Sequence, residues 1–181
     1  MLELDYQGFY GARGIAPYFV FAWPVILFRI EKDYFIEVKK MDIKYIDNIL
    51  TAEDFRKLND KVGGDYTTQE QAERAVANQL FSVVAALNGE YIGMARLIGD
   101  GAIYWCIVDV FVLPQHQGKG FGRAMVERLI RYVYETGLPK TSGSLFLMCA
   151  KGKEGFYEKL GFVKRPHSRE GAGMEMEIEI K

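Results

Sequence analysis

The densest chemical signal in the chain is Gln117-Gly118-Lys119-Gly120-Phe121-Gly122-Arg123. Glycine has no Cβ, so a glycine-rich backbone can wrap closely around an anion and adopt positive φ. The residues that follow carry helical spacing, and a helix start offers unpaired N–H groups and about half a positive charge. Lys119 and Arg123 bring cationic side chains to the same end. The turn therefore predicts a site for a pyrophosphate or a similar anion. Its spacing is not G-x-x-x-x-G-K-[ST], which excludes a P-loop. It reads G-x-G-x-G rather than G-x-G-x-x-G, and it follows hairpins instead of opening a βαβ unit. On the glycines alone, a flexible turn before an ordinary helix is the competing reading.

The other reactive residue types say less. Cys106 and Cys149 sit in apolar runs and read as small core residues of a protein in a reducing compartment, the cytoplasm. His116 beside the turn and His167 in a later loop read as solvated. No Cys or His pair stands at ligand spacing, so no metal is expected. The 181 residues are 49% hydrophobic and 26% charged, the profile of one soluble globular domain. A net charge of -1 gives no basic field for nucleic acid.

Residues 1–33 stand apart as an extension. Residues 15–28 are apolar but too short, and too broken by Pro17 and Pro24, to span a membrane. Three readings of the extension stay open: packing on the domain or on a sister chain in a homodimer, translated sequence upstream of the true start, or contact with a membrane surface. The domain occupies 34–181. A strand is predicted at 34–38, then a helical stretch capped by Asp42 and holding Ile43, Ile46, Ile49 and Leu50. Thr51 and Asp54 cap a further helix through Leu58, broken at Gly63-Gly64. Thr67 and Glu70 form a capping box for a helix to about Asn78. Strands follow at 80–87 and 91–98 around the hairpin signal Asn88-Gly89. A nearly continuous apolar strand at 102–113 reads as buried on both faces. A helix from the glycine turn to about Glu135, a strand at 145–150, a short helix at 154–160 and an alternating strand at 174–180 complete a mixed α/β domain.

Val110-Phe111-Val112-Leu113-Pro114 followed by the glycine turn resembles the acetyl-CoA motif of the GNAT superfamily, a V-x-P element and then Q/R-x-x-G-x-G/A. Phe156-Tyr157-Glu158-Lys159-Leu160-Gly161-Phe162 resembles the family's second signature, F-Y-x-x-x-G-F. The resemblance implies a central, mostly antiparallel sheet flanked by helices and splayed between its fourth and fifth strands. It implies an acetyl-CoA-dependent N-acetyltransferase acting on a primary amine, most simply of a small molecule, with a protein or peptide amine or a non-catalytic acyl-CoA-binding module as alternatives. By the same resemblance the cofactor arm pairs with backbone near Val110 and Val112, residues 117–123 hold the pyrophosphate, and Tyr157 meets the departing sulfur. Asp109 and Glu154 are the candidate bases. Period-two alternation sends Asp109 away from the face of Val110 and Val112 unless a bulge re-aims it.

Overall fold

A computed structural model describes residues 42–176 and 178. Five strands form one sheet in chain order: β1 (Ile43–Asp47), β2 (Phe81–Leu87), β3 (Glu90–Gly99), β4 (Tyr104–Val112) and β5 (Ser144–Leu147). All neighbours are antiparallel except β4 and β5. A parallel pair needs a crossover, and α3 (Phe121–Thr136) supplies it. Helices α1 (Ala52–Val62) and α2 (Gln69–Ala77) lie between β1 and β2 in the chain, and α4 (Glu154–Glu158) follows β5.

Local chemistry fixes the turns. Asn88 and Gly89 take φ of 51° and 88°, as a tight primed hairpin demands. The Asp100 carboxylate accepts the N–H groups of Ala102, Ile103 and Tyr104, each at 2.9 Å, and so sets the entry to β4. Thr51 Oγ1 accepts the Asp54 N–H at 3.1 Å to cap α1, and Gly63 closes that helix at φ 74°.

β2 and β3 are buried on both faces, because successive side chains point to opposite sides. On one side Phe81 stacks on Tyr132 of α3, with ring centroids 4.3 Å apart. On the other, Arg96, in register with Ser82, lies over the Phe55 ring of α1 at 5.2 Å. Val83, Val84, Met94, Leu97, Met125 and Leu129 form the driest part of the core.

Several expectations change. Residues 43–47 are a strand, not a helix. Their isoleucines suit either period, and pairing with β2, from Ile43 opposite Leu87 to Asp47 opposite Val83, decides the outcome. The capping box sits one residue later, on Thr68 and Gln71. β4 is not buried on both faces: only Trp105 and Ile107 are buried, and Tyr104 is exposed. Cys106 and Cys149 are accordingly half-buried rather than core, and so is His116 rather than solvated. β5 stops at Leu147. Met174 and Met176 are exposed and belong to no strand, since alternation says which side chains could share a face but provides no neighbour to pair with. The extension 1–33 and the strand expected at 34–38 lie outside the described residues.

Candidate active site

The site is built where β4 and β5 part. Their parallel pairing runs from Tyr104 opposite Ser144 to Ile107 opposite Leu147 and then ends. β4 continues to Val112 alongside β3 only. Beyond Ile107 its edge toward β5 has no strand partner among the described residues, leaving backbone N–H and C=O groups for an extended ligand. Immediately past this fork the β3–β4 register shifts: Arg96 faces Val108, whereas Met94 faces Phe111. One extra residue is thus accommodated in β4, and Asp109 takes φ 52° there. This is a bulge at the splay point.

At the far end of β4, a 3-10 turn at Pro114–His116 leads into the glycine turn. Gly118 and Gly120 have φ of 74° and 85°, and a Cβ on either would meet nothing within 4 Å. Their need is conformational, and the space above them is open. Gly120 is the N-cap of α3 and supplies no side-chain cap. The first intrahelical bond is Ala124 N–H to Gly120 O at 3.1 Å, so the N–H groups of Phe121, Gly122 and Arg123 precede any helical partner. Gln117 Nε2 donates to Val112 O at 2.9 Å and ties the turn to β4. A Cβ on Gly122 would stand 3.6 Å from Val112 and 3.8 Å from Phe156, so turn, β4 and α4 converge. Lys119 Nζ donates to Gln115 O at 3.1 Å, and Arg123 pairs with Glu127 at 2.7 Å. The turn therefore offers unpaired backbone donors, with two cations at its rim that each keep donors to spare.

Tyr157 of α4 is half-buried and makes edge-to-face contacts with Phe156 at 4.8 Å and Phe162 at 5.9 Å. Burial pushes its phenol above the ordinary tyrosine value, with Cys149 adding to the rise. It lines an open groove of about 1730 Å³ that follows β5, together with Phe146, Met148, Cys149 and Glu154. The Glu154 carboxylate is held below its ordinary range by the N–H groups of Glu154 itself and Gly152 at the helix start. Val110 and Val112 pack partly buried against the core.

Asp109 goes elsewhere. Its Oδ2 accepts from Arg96 Nη1 at 2.5 Å. Burial raises its carboxyl above the usual carboxylate range, against the pull of Arg96. Arg96 is the site residue that the sequence reading missed. Its one signal is a charged residue inside the otherwise apolar stretch of β3. Among the described residues no cluster of His, Cys, Asp and Glu could hold a metal ion, and no helix is long and apolar enough to cross a membrane.

The acetyltransferase (GNAT) family model matches residues 41–162. Histone acetyltransferase TAP1 of Glycine max is 33% identical over 131 residues, covering 65% of this chain and 54% of that protein. The chain spans about half or less of the length of the first curated relatives it matches. Protein SA2161 of Staphylococcus aureus, described as a probable acetyltransferase, superposes with a TM-score of 0.66 at 30% identity over 75% of this chain and 99% of its own. A GNAT acetyltransferase of Brucella melitensis, solved in complex with acetyl-CoA, shares the fold with a TM-score of 0.51 at 19% identity over 71% of this chain and 92% of its own. The forked mixed sheet with an anion-ready helix start defines an acyltransferase fold, and the chain belongs to the GNAT family of acetyltransferases.

Proposed function

We propose that the chain transfers the acetyl group of acetyl-CoA to a primary amine of a small molecule, by direct attack of the amine with no covalent enzyme intermediate. The observation that carries this reading is the fork between β4 and β5 with the uncapped start of α3 at the end of the same strand.

The residues fit the cofactor: a glycine cradle open above two positive-φ positions, a helix start with free N–H groups, and an unpaired strand edge. Gly118 to Arg123 would hold the diphosphate through backbone donors, with Gln117 fixing the turn to Val112 and Lys119 and Arg123 adding charge. Val110 and Val112 would hold the extended arm as an added strand. When bound, acetyl-CoA supplies an activated thioester. A β4 backbone N–H near the bulge would face the acyl oxygen and could stabilise negative charge there, in the manner of an oxyanion hole. Tyr157, protonated at neutral pH as tyrosine ordinarily is and more firmly so for its burial, would steady the departing thiolate by a hydrogen bond from its hydroxyl. The amine must lose a proton. Glu154 is ionised and lines the groove, so it or a water beside it can take that proton.

A peptide or protein amine is the second reading. The groove along β5 is larger than the few hundred to about 1,000 Å³ of an ordinary small-molecule pocket, and it is open at the surface. The free cysteines support a reducing compartment such as the cytoplasm. The test is calorimetry with acetyl-CoA, CoA and ATP, followed by a panel of small amines and a lysine-containing peptide, reading CoA release. Binding of acetyl-CoA but not ATP, with turnover of a small amine, is expected. No acetyl-CoA binding overturns the proposal, and turnover of the peptide alone selects the second reading.

A further inference from the structure

Arg96 is almost wholly buried, with its side chain 6% exposed, and each of its three nitrogens is used. Nε donates to Gln79 Oε1 at 3.0 Å, Nη1 to Asp109 Oδ2 at 2.5 Å and Nη2 to Ala75 O at 2.6 Å, while the plane lies over Phe55. One guanidinium therefore joins α1, the end of α2, the segment before β2, and the bulge of β4. The planar, permanently charged fork suits this task as an ammonium would not. Asp109 occupies the left-handed region at φ 52°, which Asp and Asn enter more readily than other side chains but still at a cost. That conformation falls two residues after the last β4–β5 pair, Ile107 opposite Leu147, where the exposed edge of β4 begins. A carboxylate tied to the guanidinium of the neighbouring strand is well placed to keep this turn of the backbone, and it does not line the groove along β5.

We propose that Arg96 and Asp109 are positioning residues: the pair locks the β4 bulge, and the bulge sets the backbone groups that receive the acyl carbonyl. This rests on the acetyltransferase reading above. It assigns Asp109 a backbone role in place of the general-base role that its residue type suggests. Cys106, whose thiol is pushed up by burial and by the neighbouring Asp109, sits beside the pair on β4.

The side chain and the backbone requirement can be separated at one position. Asparagine keeps the left-handed conformation and an oxygen for Arg96. Glycine keeps the conformation and loses the oxygen. Alanine loses both. Hydrogen exchange of the β4 amides, acetyl-CoA affinity by calorimetry, and kcat with the best amine of the panel are measured on the full chain. Asp109→Asn leaves the Arg96 charge without its counter-ion, so it is expected to lose some global stability, yet to stay closest to the parent in exchange after Ile107, to bind acetyl-CoA within threefold, and to keep kcat within about fivefold with the same pH dependence. Asp109→Gly is expected to fall between it and Asp109→Ala. The alanine variant is expected to lose at least tenfold in kcat, with faster exchange after Ile107. Arg96→Lys, a shorter and unforked donor, is expected to resemble the alanine variant. If Asn, Gly and Ala lose activity equally while the β4 amides stay protected, the carboxylate acts chemically and the inference falls. An alanine variant indistinguishable from the parent overturns it as well. A parent that binds no acetyl-CoA defeats the functional reading instead, while the exchange series still decides whether the pair holds the bulge.

Discussion

Replacing Tyr157 by phenylalanine removes one oxygen and leaves the ring, so the edge-to-face contacts with Phe156 at 4.8 Å and Phe162 at 5.9 Å persist. A thiol ordinarily titrates near ~8.5 and tyrosine near ~10, so complete proton transfer to a departing thiolate is uphill by about 2 kcal/mol before burial is considered. Burial raises the phenol further, which makes complete transfer harder still. On the proposed reading the hydroxyl therefore acts as a hydrogen-bond donor to growing negative charge rather than as a full proton donor. Hydrogen bonds to charged groups are worth about 1.5–3 kcal/mol, which corresponds to roughly a 10- to 150-fold fall in rate. The acetyl-CoA dissociation constant is expected to stay within about threefold, the pattern of a contact made mainly in the transition state. Single-turnover kinetics with the best amine isolates the chemical step, and calorimetry gives the affinity. The sign of the pH effect follows from the raised pKa. The donor form persists through neutral pH and is lost only as pH rises through the folded value, above that of free tyrosine, so the parent's alkaline decline should vanish in the phenylalanine variant. A variant that matches the parent in single turnover refutes the reasoning and leaves Tyr157 as a packing ring.

Three further outcomes are expected. Gly120→Val places a β-branched residue at φ 85° with open space around its Cβ, so acetyl-CoA affinity falls at least tenfold, about 1.4 kcal/mol, whereas Gly122→Ala meets only ordinary contacts at 3.6 and 3.8 Å and keeps the fold; calorimetry and thermal melts check both. Gly93→Ala puts a Cβ 2.5 Å from Phe111 O, so β4 must shift beyond the fork, costing about 1–3 kcal/mol in denaturant unfolding and weakening acetyl-CoA binding. Asp100, held below its ordinary pKa by the N–H groups of Tyr104, Ala102 and Ile103, stabilises the fold above about pH 3.9, the unfolded value, and that contribution is lost as pH falls through the lower folded value. Melting curves between pH 5 and pH 2 should therefore drop more steeply for the parent than for Asp100→Asn.

What the sequence made legible was local. Asn88-Gly89, the Thr51 cap and the glycine turn each declare themselves in a few adjacent residues, because their conformational needs are met within those residues. The sequence pattern places the capping box one residue early, at Thr67; in three dimensions Arg56 takes the Thr67 carbonyl at 3.0 Å and Thr68 caps α2. Residues 43–47 became a strand because β2 had an edge to offer, a fact carried by neither segment alone. Arg96, and its pairing with Asp109, were invisible for the same reason. Their meaning depends on Ala75, Gln79 and a register shift beside which two residues thirteen apart in the chain come into contact. The half-buried state of Cys106 and Cys149 likewise follows from the open end of the sheet, not from the apolar runs in which they lie.

The crossover through α3 has a metric consequence. The fork opens after Ile107 and the turn is tied to Val112, so five residues of β4 separate them. At about 3.3 Å per residue that interval is roughly 16 Å. This stretch of β4 thus behaves as a gauge, with the glycine turn at one end and the fork at the other. On the proposed reading, an acyl donor with a shorter linker would either give up the helix start or leave its acyl group short of the fork.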